Sequence, residues 1–125
     1  MTERILDVGT RKYTEVVCLD EPGPGGACHR YQVIHADGDK ILKDGSPAFA
    51  EVFFQKGPLK ENEVNGCHQE DLLAIVLDRL QHFQAGEFKC RENAIAITKI
   101  QEAMFWLNHR TNCRQARGVE GTSEK

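Results

Sequence analysis

The stretch QEDLLAIVLDRLQHFQ, residues 69–84, carries the strongest helical pattern of the chain. Its apolar side chains recur every three or four residues, which places them on one face of an α-helix. These positions are Leu72, Leu73, Val76, Leu77, Leu80 and Phe83. Gly86 follows at a position where helices commonly end. The pattern predicts an amphipathic helix over residues 69–84.

A second and longer helix is predicted from about Cys90 to about Ala116. Its inward positions are Ala96, Ile100, Ala103, Met104 and Leu107. At about 27 residues it would be on the order of 40 Å long, which exceeds the width of a small domain. We therefore expect its C-terminal end to project and to complete a site on a neighbouring subunit, so that an oligomer is favoured.

The first half of the chain reads instead as short strands, because β-branched and aromatic residues alternate with polar ones. Strong turn residues separate them, with Pro-Gly-Pro-Gly-Gly at 22–26 and His-Ala-Asp-Gly-Asp at 35–39. The strand candidates are residues 16–18, Tyr31 with Val33, and residues 49–54. The fold class predicted is α+β, an N-terminal antiparallel β-sheet packed against two C-terminal α-helices.

One domain over residues 1–125 suits this length, with a sheet-rich part (1–66), a two-helix part (67–117) and a tail (118–125). A net charge of −3 argues against binding to long nucleic acid, which usually requires a basic domain. We see no apolar run of membrane-spanning length and no signal-peptide pattern, and the five cysteines lack a disulfide spacing. A soluble protein in a reducing cytoplasm is expected.

Arg110, Arg114 and Arg117 lie at helical spacing and form one basic ridge near the end of the second helix. Guanidinium groups bind phosphates and stack on purine rings, so the ridge suggests an anionic, nucleotide-like ligand. The alternative is that these cations only complement the helix dipole and its free carbonyls.

The corner between the two helices offers an aromatic ring, a cation and an amide close together, in Phe83, Arg91 and Asn93. An adenine needs a flat stacking partner and an amide for its hydrogen-bonding edge, which Phe83 and Asn93 would supply. Alternatively, Phe83 is the last residue of the apolar stripe and Asn93 is a residue of the first helical turn.

Other groups of residues in the sequence give only weak signals of function. The glycines at 23–26 are not followed by the Gly-Lys-Ser/Thr of a phosphate-binding loop. Cys28-His29 and Cys67-His68 lack the spacing of structural zinc sites, and no cysteine is marked as a nucleophile. We therefore predict no catalytic residue, no metal site and no cofactor.

Several runs resemble a phage family, Thoeris anti-defence one, over about residues 28–122. These are FQKGPLKENEVNG (54–66), EDLLAIVLDRL (70–80), FQAG (83–86), CREN (90–93), WL (106–107), HRT (109–111), Arg114 and RGVEGT (117–122). The resemblance implies a protein that sequesters cyclic ADP-ribose isomers, such as glycocyclic ADP-ribose made by bacterial TIR-domain enzymes, in the cytoplasm of the infected bacterial host. It also implies dimers that share each pocket between protomers, assembling into hexamers as trimers of dimers.

By position, the resemblance implies that Phe83 and Asn93 form one wall of the pocket, while Arg110 and Arg114 reach the adenine and the pyrophosphate. Arg91 and Arg117 complete the candidate set. Some members of the family also hold cyclic di- or trinucleotides of CBASS immunity at separate sites, and the candidate cations for such a site here are Lys56 and Lys60 in the Gly57-Pro58 region. Two alternatives remain open, an enzyme that degrades the same signals and an inhibitor that docks onto a bacterial defence enzyme.

Overall fold

The computed structural model describes residues 3–9, 12–37 and 48–122. The chain divides into two compact units, a sheet unit at Met1–Cys67 and a helical unit at His68–Lys125. Within the described residues, no helix combines the length and the apolar character needed to cross a membrane.

Four antiparallel strands in the order β1-β2-β3-β4 form the sheet unit. They are β1 (Arg4–Ile5), β2 (Thr14–Cys18), β3 (Arg30–His35) and β4 (Ala50–Phe53). The register pairs Arg4 with Cys18, Val16 with Val33 and Tyr31 with Val52. The Pro-Gly stretch between β2 and β3 contains a 3₁₀ turn at Pro24–Gly26. Ala36 begins the predicted turn by donating to the Tyr13 carbonyl at 2.9 Å, whereas Gly38 and Asp39 lie outside the described residues.

The most buried side chains of the sheet unit gather where β2 ends and β3 begins. Among the described residues only Cys18 is fully buried, and Val17, Cys28 and His29 are nearly so. A small core of this kind relies on backbone pairing as much as on apolar burial, because little apolar area leaves the solvent.

A loop closed by side-chain amides follows β4. The Gln55 amide donates to the Glu63 carbonyl at 2.7 Å, and Asn65 exchanges hydrogen bonds with the backbone of Lys56. A short helix, α1 (Leu59–Asn62), lies inside this loop. A parallel bridge between Phe54 and Cys67 ends the unit.

The helical unit contains α2 (Gln69–Gln84) and α3 (Arg91–Ala116). The Asp71 carboxylate accepts a hydrogen bond from the His68 N–H at 2.9 Å and caps α2. The Cys90 sulfur accepts the Asn93 N–H at 3.4 Å and caps α3. Residues 85–90 join the helices into a hairpin, and Cys90 N–H donates to the Gln84 side chain at 2.8 Å across this corner.

The α+β class and both predicted helices are confirmed. The patterns missed the two-residue strand β1 and the helix α1, each too short to show a period. The single-domain organisation and the packing of the helices on the sheet stay predictions.

Candidate functional site

The corner of the hairpin holds three of the predicted ligand-binding residues. Phe83, on the last turn of α2, is 37% exposed, and the Arg79 guanidinium lies 5.0 Å from its ring centroid. The Asn93 amide, half-buried in the first turn of α3, lies 3.5 Å from the Phe88 carbonyl. Arg91 is exposed at the start of α3, with Glu92 at 4.0 Å. The corner thus carries a partly open aromatic ring, an amide and cations, and their part in ligand binding stays a prediction.

The three arginines of the predicted ridge lie in and directly after the last turns of α3, but their surroundings differ. Arg110 is exposed, and Arg117 is the exposed C-terminal cap of the helix. Arg114 is 9% exposed and is the one buried residue of α3. The spacing placed the three arginines at the end of the helix but did not reveal that Arg114 is buried, and their role in ligand binding stays a prediction.

The Arg114 guanidinium is held by the segment that follows its own helix. It donates to the Val119 carbonyl at 2.9 Å, the Thr122 carbonyl at 3.1 Å and the Glu120 carboxylate at 3.1 Å. Gly118, with φ of +74°, permits the reversal of the chain that brings this segment back. The N–H of Val119 also bonds the Arg114 carbonyl at 3.0 Å, which completes a Schellman ending. Arg114 therefore fixes residues 119–122 against the end of α3.

The corner and the ridge are far apart within one chain. Asn93 and Arg110 are 17 positions apart on the continuous helix α3, which corresponds to about 26 Å. Since α3 has 26 residues and α2 has 16, the last turns of α3 extend beyond α2 in the hairpin. A small ligand cannot contact Asn93 and Arg110 of the same chain.

The sheet unit contains a separate cleft, with a volume of about 260 Å³. It is lined by Asp20, His29, Arg30, Phe53, Phe54, Lys56 and Asn65. Of the predicted second-site residues, Lys56 lines this cleft, while Lys60 is an exposed residue of α1 that does not line it. The other lining residues were not singled out from the sequence, because they converge only through the connection between β2 and β3, the pairing of β3 with β4 and the loop after β4.

Charges of both signs line this cleft. Desolvation disfavours the ionised Asp20 carboxyl, but hydrogen bonds from the backbone N–H groups of Arg30 and His29 outweigh it and lower the pKa of Asp20. His29 is 8% exposed, and its Nδ1 atom has no hydrogen-bond partner among the described residues. The Arg30 guanidinium lies 5.3 Å from the Phe53 ring centroid, in cation–π geometry. The cleft thus combines cations with aromatic surface, a composition that suits a flat anionic ligand.

Comparison with known proteins adds two findings. Residues 46–112, just over half of the chain, match the sequence profile of the family described as Acb2/Tad1, hairpin domain. The chain is also similar to "Thoeris anti-defense 1" of Bacillus phage SBSphiJ7, with 57% identity over 84 residues. That alignment covers 67% of this chain and 59% of the relative. The matched family region includes the cleft loop after β4, α2, the corner and Arg110.

Proposed function

Because the chain belongs to the Acb2/Tad1 hairpin family of Thoeris anti-defence proteins, we propose that it is a phage protein that binds and sequesters an immune signal. The signal proposed is a cyclic ADP-ribose isomer, glycocyclic ADP-ribose in the first instance. The protein would act in the cytoplasm of the infected host and would hold the ligand without cleaving it. Removal of the free signal would leave the Thoeris effector inactive.

The separation of about 26 Å between Asn93 and Arg110 determines how the proposed pocket is built. A cyclic ADP-ribose is much shorter than this distance, so one chain cannot surround it with both groups. A second copy placed with its hairpin antiparallel to the first would bring the partner's ridge to each corner. Two-fold symmetry then creates two equal sites per dimer. The pocket proposed is therefore shared between protomers.

Each side chain has a chemical task in this pocket. One face of the Phe83 ring is approached by Arg79, and the rest of the exposed ring can stack on adenine. Asn93 has an amide that matches the adenine edge. Arg110, exposed at the ridge, suits the pyrophosphate, and Arg91 and Arg117 add positive potential at the corner and at the end of α3.

These contacts would supply much of the free energy that tight binding requires. A charge-assisted hydrogen bond contributes about 1.5 to 3 kcal/mol, and stacking of a base contributes roughly 1 to 3 kcal/mol. Nanomolar affinity requires about −12 kcal/mol in total. Several such contacts in a partly dry pocket approach that value without a nucleophile or a metal ion.

Arg114 takes a double role in the proposal. Its three contacts with residues 119–122 shape the end of α3 beside Arg110. A direct contact with the pyrophosphate would exchange the Glu120 carboxylate for a phosphate oxygen. The ligand contact of Arg114 thus stays a prediction, and its structural contact is the one described.

The cleft of the sheet unit is the proposed second site, for cyclic di- or trinucleotides. Lys56, Arg30 and the Phe53 ring supply the cations and the aromatic surface that such ligands need. Lys60 would act only as a nearby charge from α1.

The first experiment titrates the purified protein with glycocyclic ADP-ribose in a calorimeter and then identifies the small molecule released by heating. Saturation at about one ligand per chain with intact ligand recovered supports sequestration. Turnover of excess ligand would make the protein an enzyme. Arg110→Ala is expected to weaken binding at least tenfold, whereas Lys99→Ala, an exposed cation on the same helix, should leave it unchanged.

A mixing experiment tests whether the pocket is shared. Phe83→Ala and Arg110→Ala proteins are each expected to bind poorly. In a mixed dimer, one site receives a normal Phe83 from one chain and a normal Arg110 from the other. Random pairing should then restore about one site in four. No restored binding, with subunit exchange verified, would place both residues in one chain and overturn the shared pocket.

A further inference from the structure

Two thiols and a carboxylate meet at the end of β2, in a cluster of which only Asp20 also lines the proposed second site. The Cys18 Sγ, the Cys28 Sγ and an Asp20 carboxylate oxygen all lie within 4.8 Å of one another. Cys18 is fully buried and Cys28 is 9% exposed, while Asp20 is half-buried. We propose that Cys18, Asp20 and Cys28 bind a thiophilic divalent cation, Zn²⁺ in the first instance, as a structural clamp of the sheet unit.

The spacing of the three groups fits such an ion. Tetrahedral zinc with two sulfur ligands and one oxygen ligand holds them about 3.5 to 3.8 Å apart. The Cys18 Sγ lies 3.8 Å from Asp20 Oδ1 and 3.4 Å from the Asp20 carbonyl oxygen. Closing the remaining distances requires side-chain shifts of about 1 Å at most. A water molecule or the Asp20 carbonyl would fill the fourth position.

The surroundings of the ligands also fit. The Asp20 carboxylate accepts the backbone N–H of His29, which is shared between both oxygens at 3.1 Å, and that of Arg30 at 3.2 Å, which fixes the orientation of the carboxylate. Carboxylate ligands of metal sites are commonly fixed by such outer contacts. Because the carboxylate is already fixed by the loop, binding would cost little ordering of this side chain.

Charge balance explains the position of Arg4. Two thiolates and one carboxylate carry three negative charges, and a divalent ion neutralises two of them. The Arg4 guanidinium, 3.8 Å from the Cys28 Sγ, supplies the remaining positive charge from β1. Thiolate ligands together with a carboxylate select zinc-like ions over Mg²⁺ or Ca²⁺, which prefer oxygen ligands alone.

The ion would tie the two sides of the β2–β3 hairpin together at its loop end, through Cys18, Cys28 and the side chain of Asp20. Cys18 is the last residue of β2, Cys28 lies two residues before β3, and Arg4 pairs with Cys18 from β1. The connection between the two cysteines contains the Pro-Gly stretch 22–26, whose glycines lose much conformational freedom on folding. An ion that binds only the folded chain stabilises the sheet unit by mass action.

The test uses reduced full-length protein in which Cys67, Cys90 and Cys113 are replaced by Ser, so that only the proposed ligands remain as thiols. Titration with Co²⁺ alone should give a thiolate-to-cobalt ultraviolet band and visible tetrahedral absorption at one ion per chain. Displacement with Zn²⁺ should remove both signals and raise Tm. No cobalt spectrum in this protein, or formation of a Cys18–Cys28 disulfide without metal binding, would overturn the proposal.

Two ligand variants in the same background locate the ion. Since loss of an outer contact costs about 10- to 100-fold in metal affinity, Cys28→Ser and Asp20→Asn should each weaken binding by about 100-fold or more. Circular dichroism and gel filtration check the fold of each variant. Unchanged affinity in a folded variant would contradict the assignment. If Cys28→Ser does not fold, the metal affinity of Asp20→Asn tests the assignment. This variant should fold, because the amide oxygen of Asn still accepts a backbone N–H.

Discussion

Arg114 differs from the other two arginines of the ridge because its side chain is buried and hydrogen-bonded to residues 119–122. Its side chain is 10% exposed and its Nε lies 3.1 Å from the Glu120 carboxylate, which is itself 31% exposed. The other two acceptors are backbone carbonyls of Val119 and Thr122. A buried guanidinium that loses such acceptors is unfavourable, and so is a carboxylate that loses its cation.

Arg114→Ala should therefore lower the free energy of unfolding by about 2 to 4 kcal/mol, because the partly buried Glu120 carboxylate loses its cation and the Val119 and Thr122 carbonyls each lose a donor, although Val119 still accepts the Thr122 N–H. Arg110→Ala is the matched control, since Arg110 is exposed, and it should change stability by about 0.5 kcal/mol or less. Urea unfolding of ligand-free proteins at one fixed concentration measures both. An equal loss for the two variants would refute the anchoring role of Arg114.

The sequence predicted the surroundings of a side chain only where the neighbouring residues lie within the same helix. The positions of Arg110, Arg114 and Arg117 at the end of a helix were predictable from spacing alone. The burial of Arg114 was not, because its acceptors belong to residues 119–122, which return only after the reversal at Gly118. The Cys18, Asp20 and Cys28 cluster was missed for a similar reason, since the hairpin of β2 and β3 brings the two cysteines together.

The helices were the most predictable elements. The apolar stripe of residues 69–84 repeats over more than four turns, and the bounds of α2 agree with it. The strands β2, β3 and β4 followed from β-branched and aromatic residues. Their pairing partners and register did not, because period-two patterns are compatible with several alignments. The loop after β4 is fixed by amide side chains, which carry no periodic signal.

A close backbone approach at Gly66 holds the end of that loop. A Cβ atom added there would lie 2.4 Å from the carbonyl carbon of Phe54 and 2.6 Å from the oxygen of Phe53. These are backbone atoms of the strand end, so a side-chain rotation cannot relieve the clash.

Gly66→Ala should thus destabilise the protein by roughly 1 to 3 kcal/mol or more, since the parallel bridge between Phe54 and Cys67 must open. Gly86→Ala is the control, because its nearest neighbours would be 3.8 and 3.9 Å away. That change should leave stability unchanged or slightly raised. Thermal unfolding followed by circular dichroism compares the two, and equal tolerance of both would show that the loop relaxes freely.

The two-helix unit leaves large apolar side chains in contact with water. Ile75 is 65% exposed on α2, and Phe105 and Trp106 are 61% and 63% exposed on α3. Adjacent helix residues point about 100° apart, so the exposed sector around Phe105 and Trp106 is wide. Their rings pack against each other and against His109, which forms an aromatic cluster on the surface. Exposed aromatic patches of this kind commonly mark interfaces.

At the scale of the whole molecule, we expect this aromatic cluster to lie in the contact between copies that the shared pocket requires. Replacing both Phe105 and Trp106 with Glu places two like charges in that contact, so the assembly should dissociate into monomers. Val64→Glu changes a residue that is 76% exposed in the sheet unit, and it should leave the assembly intact. Analytical ultracentrifugation reports the mass, and calorimetry with glycocyclic ADP-ribose reports the affinity.

Because each proposed pocket takes its corner from one chain and its ridge from another, dissociation and loss of binding should occur together. A folded monomer that still binds one ligand per chain at full affinity would show that a single chain builds the pocket, against the separation of Asn93 and Arg110 along α3.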